Sequence, residues 1–288
     1  MKAERRTRSF HPSSFILHPS AFILCAFALL LLTSGCTVHF HHGPLFEDID
    51  PMKMPVDSAS LLALSYASYK DIGPTKAIAV SLVAAEKVIA VRPDNELANY
   101  LAARACLWLL ELGQGVDEEQ AKGLANKGFD YAQAAVKADG DRGEYAFMAG
   151  SLLGYQLMQS FAPHLIAIRQ VNDYFRQAAK LDPNYNQGAP LRALGTFLVK
   201  SPPWPTGVGD EEEGLTFLKL AVQKFPAHPA NHMLFAEALA SQGDKTQAKT
   251  EYEKVKEICA DPTWGSICDV YGKKADRALE KLAGKAKP

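Results

Sequence analysis

One short pattern returns five times along the chain, each time near the end of an apolar-periodic segment. A residue, most often small, is followed four places on by an apolar one, three places later by a second small residue, and then by a helix stop. The copies are Ser81, Ala85, Val88, Pro93; Lys127, Tyr131, Ala134, Asp139; Val171, Phe175, Ala178, Pro183; Gly214, Leu218, Ala221, Pro226; and Ala248, Tyr252, Val255, with its proline displaced to Pro262. Small positions let two helices approach closely, the large side chain fills the gap between them, and proline cannot continue the helix. From Ser58 on, apolar residues recur at helical spacing and no strand alternation appears. A helix pair of this kind cannot bury both its faces alone, so the chain must stack several pairs in a row.

The pattern resembles the second-helix half of a tetratricopeptide repeat. Val88, Ala134, Ala178, Ala221 and Val255 define a register with spacings of 46, 44, 43 and 34. Only the last equals the standard period of about 34 residues. The surplus in the earlier units is expected in the connection inside each hairpin. First helices are read at 58–72, 96–112, 143–159, 189–200 and 230–242, and Leu194-Gly195-x2-Leu198 fits the first-helix pattern. A charged helix over 269–282 closes the row as a solvating cap. The expected fold is therefore all-α: a tetratricopeptide-like helical-hairpin superhelix, with enlarged intra-hairpin loops and a C-terminal capping helix. It forms one domain over 57–288, of about five helix pairs plus the end helix.

The fourth hairpin carries the most unusual stretch, SPPWPTGVGDEEEGL (201–215). Its small positions Gly195 and Gly214 lie 19 apart, against 12 for Ala236 and Ala248 in the fifth unit. The segment is thus an insertion between two helices. Pro202, Pro203 and Pro205 are expected to hold it extended. Asp210 and Glu213 form a capping-box-like D-x-x-E pair, with Glu211 and Glu212 placed where the helix dipole favours negative charge. Trp204 has two readings: a recognition element presented toward the concave groove, or a plug between adjacent hairpins.

The first 36 residues are a separate object. Lys2, Arg5, Arg6 and Arg8 precede an apolar run over 21–32, too short to span a bilayer comfortably, and Thr33-Ser34-Gly35-Cys36 follows. Small residues directly before cysteine resemble the lipobox of bacterial lipoproteins, although Thr33 stands where leucine is usual. The expected division is a lipoprotein signal peptide over 1–35, lipidation at Cys36, and a tether over 36–56. His39, His41 and His42 in the tether lack the cysteine or carboxylate partners that a metal site needs. Cys106, Cys259 and Cys268 remain. Cys259 and Cys268 flank a turn holding Pro262 and Gly265 and are expected to form a disulfide, leaving Cys106 a buried thiol on an apolar helix.

A lipobox, a degenerate helical-repeat body and the segment RALGTFLVKSPPWPTGVGDEEEGLTFLKLAVQKFPAHPANHMLFAEAL (192–239) together resemble the TatT component, the lipoprotein associated with some tripartite ATP-independent periplasmic (TRAP) transporters. The likeness spans roughly residues 57–260. It implies a scaffold anchored by lipid in the periplasm; as the membrane that holds the lipid, the outer is expected over the inner. It also implies a TRAP-type substrate-binding protein as partner and a small apolar or carboxylate ligand handed to it. The competing class is a structural or assembly lipoprotein of the cell envelope with no ligand.

Chemistry is otherwise sparse. There is no G-x-S-x-G, P-loop, H-E-x-x-H or C-x2-C, and no catalytic residue, cofactor or metal site is expected. Asp139-Gly140-Asp141-Arg142-Gly143 lacks the oxygens of a calcium loop and reads as a turn. A net charge of −1 excludes a phosphate-driven nucleic-acid binder. Candidate ligand- or partner-contacting residues are Trp204, Trp108, Tyr155, Phe161 and Arg169, on or beside the long loops of units two to four. A homo-oligomer is compatible with all of this.

Overall fold

The computed structural model describes residues 46, 49–69, 75–112, 116–160 and 164–284. The chain divides into residues 1–41 and 42–288, and every described residue belongs to the second unit. Cys36, the tether histidines and Phe161 lie outside the described residues. The described part is helical, with five antiparallel hairpins: α1 (Ser58–Tyr69) with α2 (Thr75–Val91), α3 (Glu96–Leu112) with α4 (Glu118–Ala138), α5 (Gly143–Met158) with α6 (Leu165–Leu181), α7 (Ala189–Lys200) with α8 (Glu211–Lys224), and α9 (Pro229–Ser241) with α10 (Lys245–Ile258). A last helix, α11 (Gly265–Leu282), packs on α9 and α10 as the first helix of a sixth hairpin would. Among the described residues no helix is long and apolar enough to cross a membrane.

The small positions act as close-contact points. A Cβ on Gly195 would lie 2.7 Å from the Gly214 carbonyl oxygen and from Leu218 Cγ, and one on Gly214 would lie 2.7 Å from the Gly195 oxygen. The first hairpin uses hydroxyls instead. Ser65 and Ser81, both fully buried, each donate to the other's backbone carbonyl at 3.0 and 2.9 Å, so no polar group is stranded where α1 meets α2. In the second unit the register differs from the sequence reading by one place. Gly128, Ala132 and Ala135 are buried, and Lys127, Tyr131 and Ala134 only half-buried. A Cβ at 128 would meet Leu152 and Cys106 at 2.7 and 2.8 Å, so that crossing demands glycine. Tyr131 instead donates to Glu86 on α2 at 2.8 Å.

The surplus length also divides differently from expectation. In the fourth unit it is the loop over 201–210, since α7 and α8 (12 and 14 residues) match α9 and α10 (13 and 14). In the second and third units much of it is helix: α3, α4, α5 and α6 run 17, 21, 16 and 17 residues. Extra turns of helix bury apolar surface that a longer loop would leave wet, and period counting cannot tell the two apart.

The 201–210 loop is folded on itself rather than extended. The Gly209 N–H donates to the Pro202 carbonyl at 2.8 Å, and those of Thr206 and Gly207 to Pro203 at 3.2 and 3.1 Å, beside a cis Trp204–Pro205 bond. Glycine is required at 207 and 209, where a Cβ would fall 2.1 Å from a carbonyl oxygen. Asp210 caps α8 by accepting from the Glu213 N–H at 2.9 Å. Glu213 does not complete a capping box. Its carboxylate takes both Nη atoms of Arg176 on α6, at 2.7 and 2.6 Å, tying the third hairpin to the fourth. This pair is partly exposed and contributes at most about 1 kcal/mol.

Cys259 and Cys268 are bonded, with their Cα atoms 5.3 Å apart, and Cys106 is a free, fully buried thiol pushed well above its ordinary pKa by burial. One accessible thiol at Cys106 is expected in the denatured, unreduced chain from residue 37 on. Thiol titration finding three would overturn the pairing. Removing the bond through Cys268→Ser should cost roughly 2–3 kcal/mol, from the closure entropy of so short a loop.

Candidate functional site

First helices of neighbouring hairpins approach one another more closely than second helices do, so the array curves with first helices on its inner side. The inner face of α3 carries Tyr100, Arg104 and Glu111, spaced to fall on one side of the helix. Arg104 is almost buried, with its guanidinium over the rings of Tyr66 on α1 and Tyr100, at 5.7 and 5.3 Å. Tyr100 also shares a 3.0 Å hydroxyl–hydroxyl bond with Tyr185, whose ring packs on Phe147 of α5.

Farther along, four helices contribute to one cluster. The Tyr155 hydroxyl of α5 donates toward the Glu111 carboxylate of α3, and the charges of Arg192 on α7 and Lys274 on α11 act on the same carboxylate. Tyr271 of α11 feels both Glu111 and Arg192, and burial with the Glu111 charge pushes its hydroxyl up to about 12. Burial likewise raises the Glu111 carboxyl above its usual range, against the pull of Arg192, the Tyr155 hydrogen bond and Lys274. Glu111 is nevertheless solvent-exposed. Arg192 is half-buried in the same setting, and burial lowers its guanidinium pKa.

Arg192 is held from behind. Its Nη1 donates to the carbonyls of Asn186 and Gln187, both at 3.1 Å, and to Asn231 Oδ1 at 3.3 Å. Asn186, Gln187 and Gly188 all have positive φ (43°, 50° and 87°), so the α6–α7 turn presents these carbonyls in a row. Asn231, fully buried on α9, donates through Nδ2 to Gln187, Ala221 and Phe225 carbonyls at 3.2, 3.2 and 3.1 Å. One amide therefore locks the turn, the end of α8 and the arginine together.

Two histidines lie nearby. His232 sets Nδ1 2.6 Å from Glu251 and Nε2 2.7 Å from the Pro226 carbonyl, while Glu237, five residues on, pairs with Lys200 at 3.4 Å. His228 is 3% exposed, accepts the Ala230 N–H at 3.2 Å and meets Trp264 edge-on at 5.0 Å. Burial, then the Arg192 charge, lowers it to about 3. Its folded value lies below the unfolded one of about 6.5, so the unfolded chain binds more protons between the two. The His228 contribution is therefore complete above pH 6.5 and lost on acidification toward 3, approaching ~1.4 kcal/mol per pH unit. The raised carboxyl of Glu111 works with the opposite sign. The His228 share is isolated by urea melts of wild type and His228→Asn at pH 7.5 and 5: the variant, which keeps the N–H acceptor, should lose less on acidification. Equal losses would refute the assignment.

Of the sequence candidates, Tyr155 lies in the cluster and Trp108 is half-buried on α3 between Arg104 and Glu111. Arg169 is exposed on α6, a second helix, away from the first-helix face. Trp204 is 79% exposed at the tip of its loop, which removes the plug reading. Sequence reasoning missed Tyr100, Arg104, Glu111, Arg192 and Tyr271. The polar stripe Tyr100–Arg104–Glu111 along an otherwise apolar α3 was the available signal. Among the described residues no group of three or more metal-ligating side chains occurs.

Comparison with known proteins adds the fold. No family model matches the chain, and no curated protein is measurably similar to it. A thermophilic TPR protein of Thermus thermophilus superposes with a TM-score of 0.57 at 16% identity, over 77% of this chain and 99% of that one. The fold is that of a tetratricopeptide-repeat protein. Weaker likenesses are to MamA (TM-score 0.46, 13% identity, 72% and 94% covered) and to YrrB, described as a TPR protein with an unusual peptide-binding site (0.44, 16%, 76% and 93%). In repeat terms, the cluster occupies the concave face of the TPR array.

Proposed function

We propose that this TPR chain is a lipid-anchored periplasmic scaffold whose concave groove binds a partner protein. The observation that carries this is the meeting of Tyr100, Arg104, Glu111, Tyr155, Arg192 and Tyr271 on one inner face. Tyrosine and arginine dominate binding hot spots, because each combines a large contact area with a polar end. The resemblance of 192–239 to the TatT component, together with the lipobox, favours as partner a TRAP-type substrate-binding protein, to which the scaffold would pass a small apolar or carboxylate ligand. Exposed Trp204 serves as a second contact, on the loop beside the groove.

Capture from the organism's own envelope, with mass spectrometry, tests this reading. Wild type should retain a solute-binding protein. Tyr155→Ala and Trp204→Ala should each weaken retention about 30-fold, the effect of losing an aromatic anchor worth roughly 2 kcal/mol. Trp204→Ala should leave the melting temperature essentially unchanged. Recovery of envelope-assembly proteins alone, unaffected by either substitution, would replace the proposal with the assembly-lipoprotein reading. Labelled fatty acid entering wild type but not Cys36→Ala tests the anchor separately.

A further inference from the structure

The C-terminal helix does more than solvate the end of the array. Ala275 and Ile267 are buried against the last hairpin, and Tyr271, Ala278, Leu279 and Leu282 pack on the cluster of Met233, Phe235, Ala236 and Tyr252. On the same helix Tyr271 is near enough to Glu111 and Arg192 for their charges to act on its hydroxyl. α11 therefore stands at the C-terminal end of the first-helix face, packed on α9 and α10, with Tyr271 on the side of Glu111 and Arg192. The start of α11 is fastened to the end of α10 by Cys259–Cys268. Both cysteines are only half-buried and line an open cleft of about 270 Å³ with Lys256, Asp269, Lys273 and Asp276. The disulfide thus sits at the surface, within reach of an attacking thiolate, among two lysines and two aspartates of which Lys256 and Asp276 pair with each other.

We propose that Cys259–Cys268 is a redox latch on α11, and that its reduction by a dithiol reductant releases this helix and opens the C-terminal end of the groove. A thiolate of the reductant attacks one sulfur, the S–S bond breaks, and the other cysteine leaves as a thiolate. The second thiol of the reductant then resolves the mixed disulfide. Two electrons and two protons pass to the cysteines, and the reductant ends as a disulfide. The latch acts on the helix whichever partner the groove takes, so it stands or falls separately from the proposed function.

Hydrogen exchange on the chain from residue 36 on, carrying Cys36→Ser, provides the test. Reduction with dithiothreitol, or the pair Cys259→Ser and Cys268→Ser, should accelerate exchange in α11 about tenfold or more beyond any acceleration in α9 and α10. Tyrosine nitration mapped by mass spectrometry should rise at Tyr155 in the same samples, and reoxidation should reverse both changes. Unchanged α11 exchange would overturn the proposal. So would α9 and α10 losing as much protection as α11, which would make the bond a staple of the whole fold.

Discussion

Gly195→Val should lower the melting temperature by roughly 6–12 °C, from an overpacking cost of about 3 kcal/mol in a domain of this size. The obstacle at this crossing is backbone. A Cβ on Gly195 lies 2.7 Å from the Gly214 carbonyl oxygen and 3.0 Å from the Leu218 N–H nitrogen, and neither can rotate away as a side-chain tip would. Relief requires α7 and α8 to move apart, which uncovers Leu194, Leu198 and Leu218, all now almost or fully buried. Gly154→Ala on α5 is the matched control. A Cβ there meets nothing within 4 Å, so the substitution should gain about 0.5–1 kcal/mol from helix propensity alone. Thermal melts of the two variants with small shifts of the same sign would show that the crossing is not set by glycine.

Asn231→Leu should cost a further class of energy, about 2–3 kcal/mol, by removing several buried hydrogen bonds at once rather than by crowding. Leucine fills a similar volume, but the carbonyls of Gln187, Ala221 and Phe225 each lose one of two donors, keeping Arg192 Nη1, the Phe225 N–H and the His228 N–H respectively, and Arg192 loses one of three acceptors. Water cannot replace an amide at a fully buried position without opening the packing around it. Arg192 depends on this network for its place in the groove, so partner capture should fall in the folded fraction as well. Asn231→Ala leaves room for a water and should be the milder variant. If urea melts showed Asn231→Leu tolerated within about 1 kcal/mol, the network would be incidental to stability.

Several elements were legible in the sequence because they rest on local rules. The first helices of the second and fourth hairpins fall on the residues that periodicity indicates, Asp210 caps α8, and Gly195 meets Gly214 as two small residues in paired helices should. Cys259 and Cys268 lie nine apart around a turn, near enough for the chain itself to bring them together. In the second unit the pattern misled by one place. Lys127, Tyr131 and Ala134 share its spacing with Gly128, Ala132 and Ala135, and the neighbours across the two crossings, Leu152 and Cys106, select the second set.

The groove was not legible, for a different reason. Glu111, Tyr155, Arg192 and Tyr271 come from four helices and carry no mutual spacing that a linear pattern could reveal. Their meeting depends on the curvature that accumulates from hairpin to hairpin. Likewise Glu213 reads, from its own neighbourhood, as a capping residue, but Arg176 of the preceding hairpin offers a two-pronged charged partner and takes it. The 201–210 insertion announces a stiff segment through its prolines, yet the close passage of Gly207 and Gly209 over backbone carbonyls folds it back and leaves Trp204 in solvent. Sequence by itself determined which segments become helices, where they pair and where they stop, since those choices follow from propensity, capping and the size of residues at each crossing. Tertiary structure alone decided which polar side chains face one another, because that is set by small rotations between hairpins summed over the whole array.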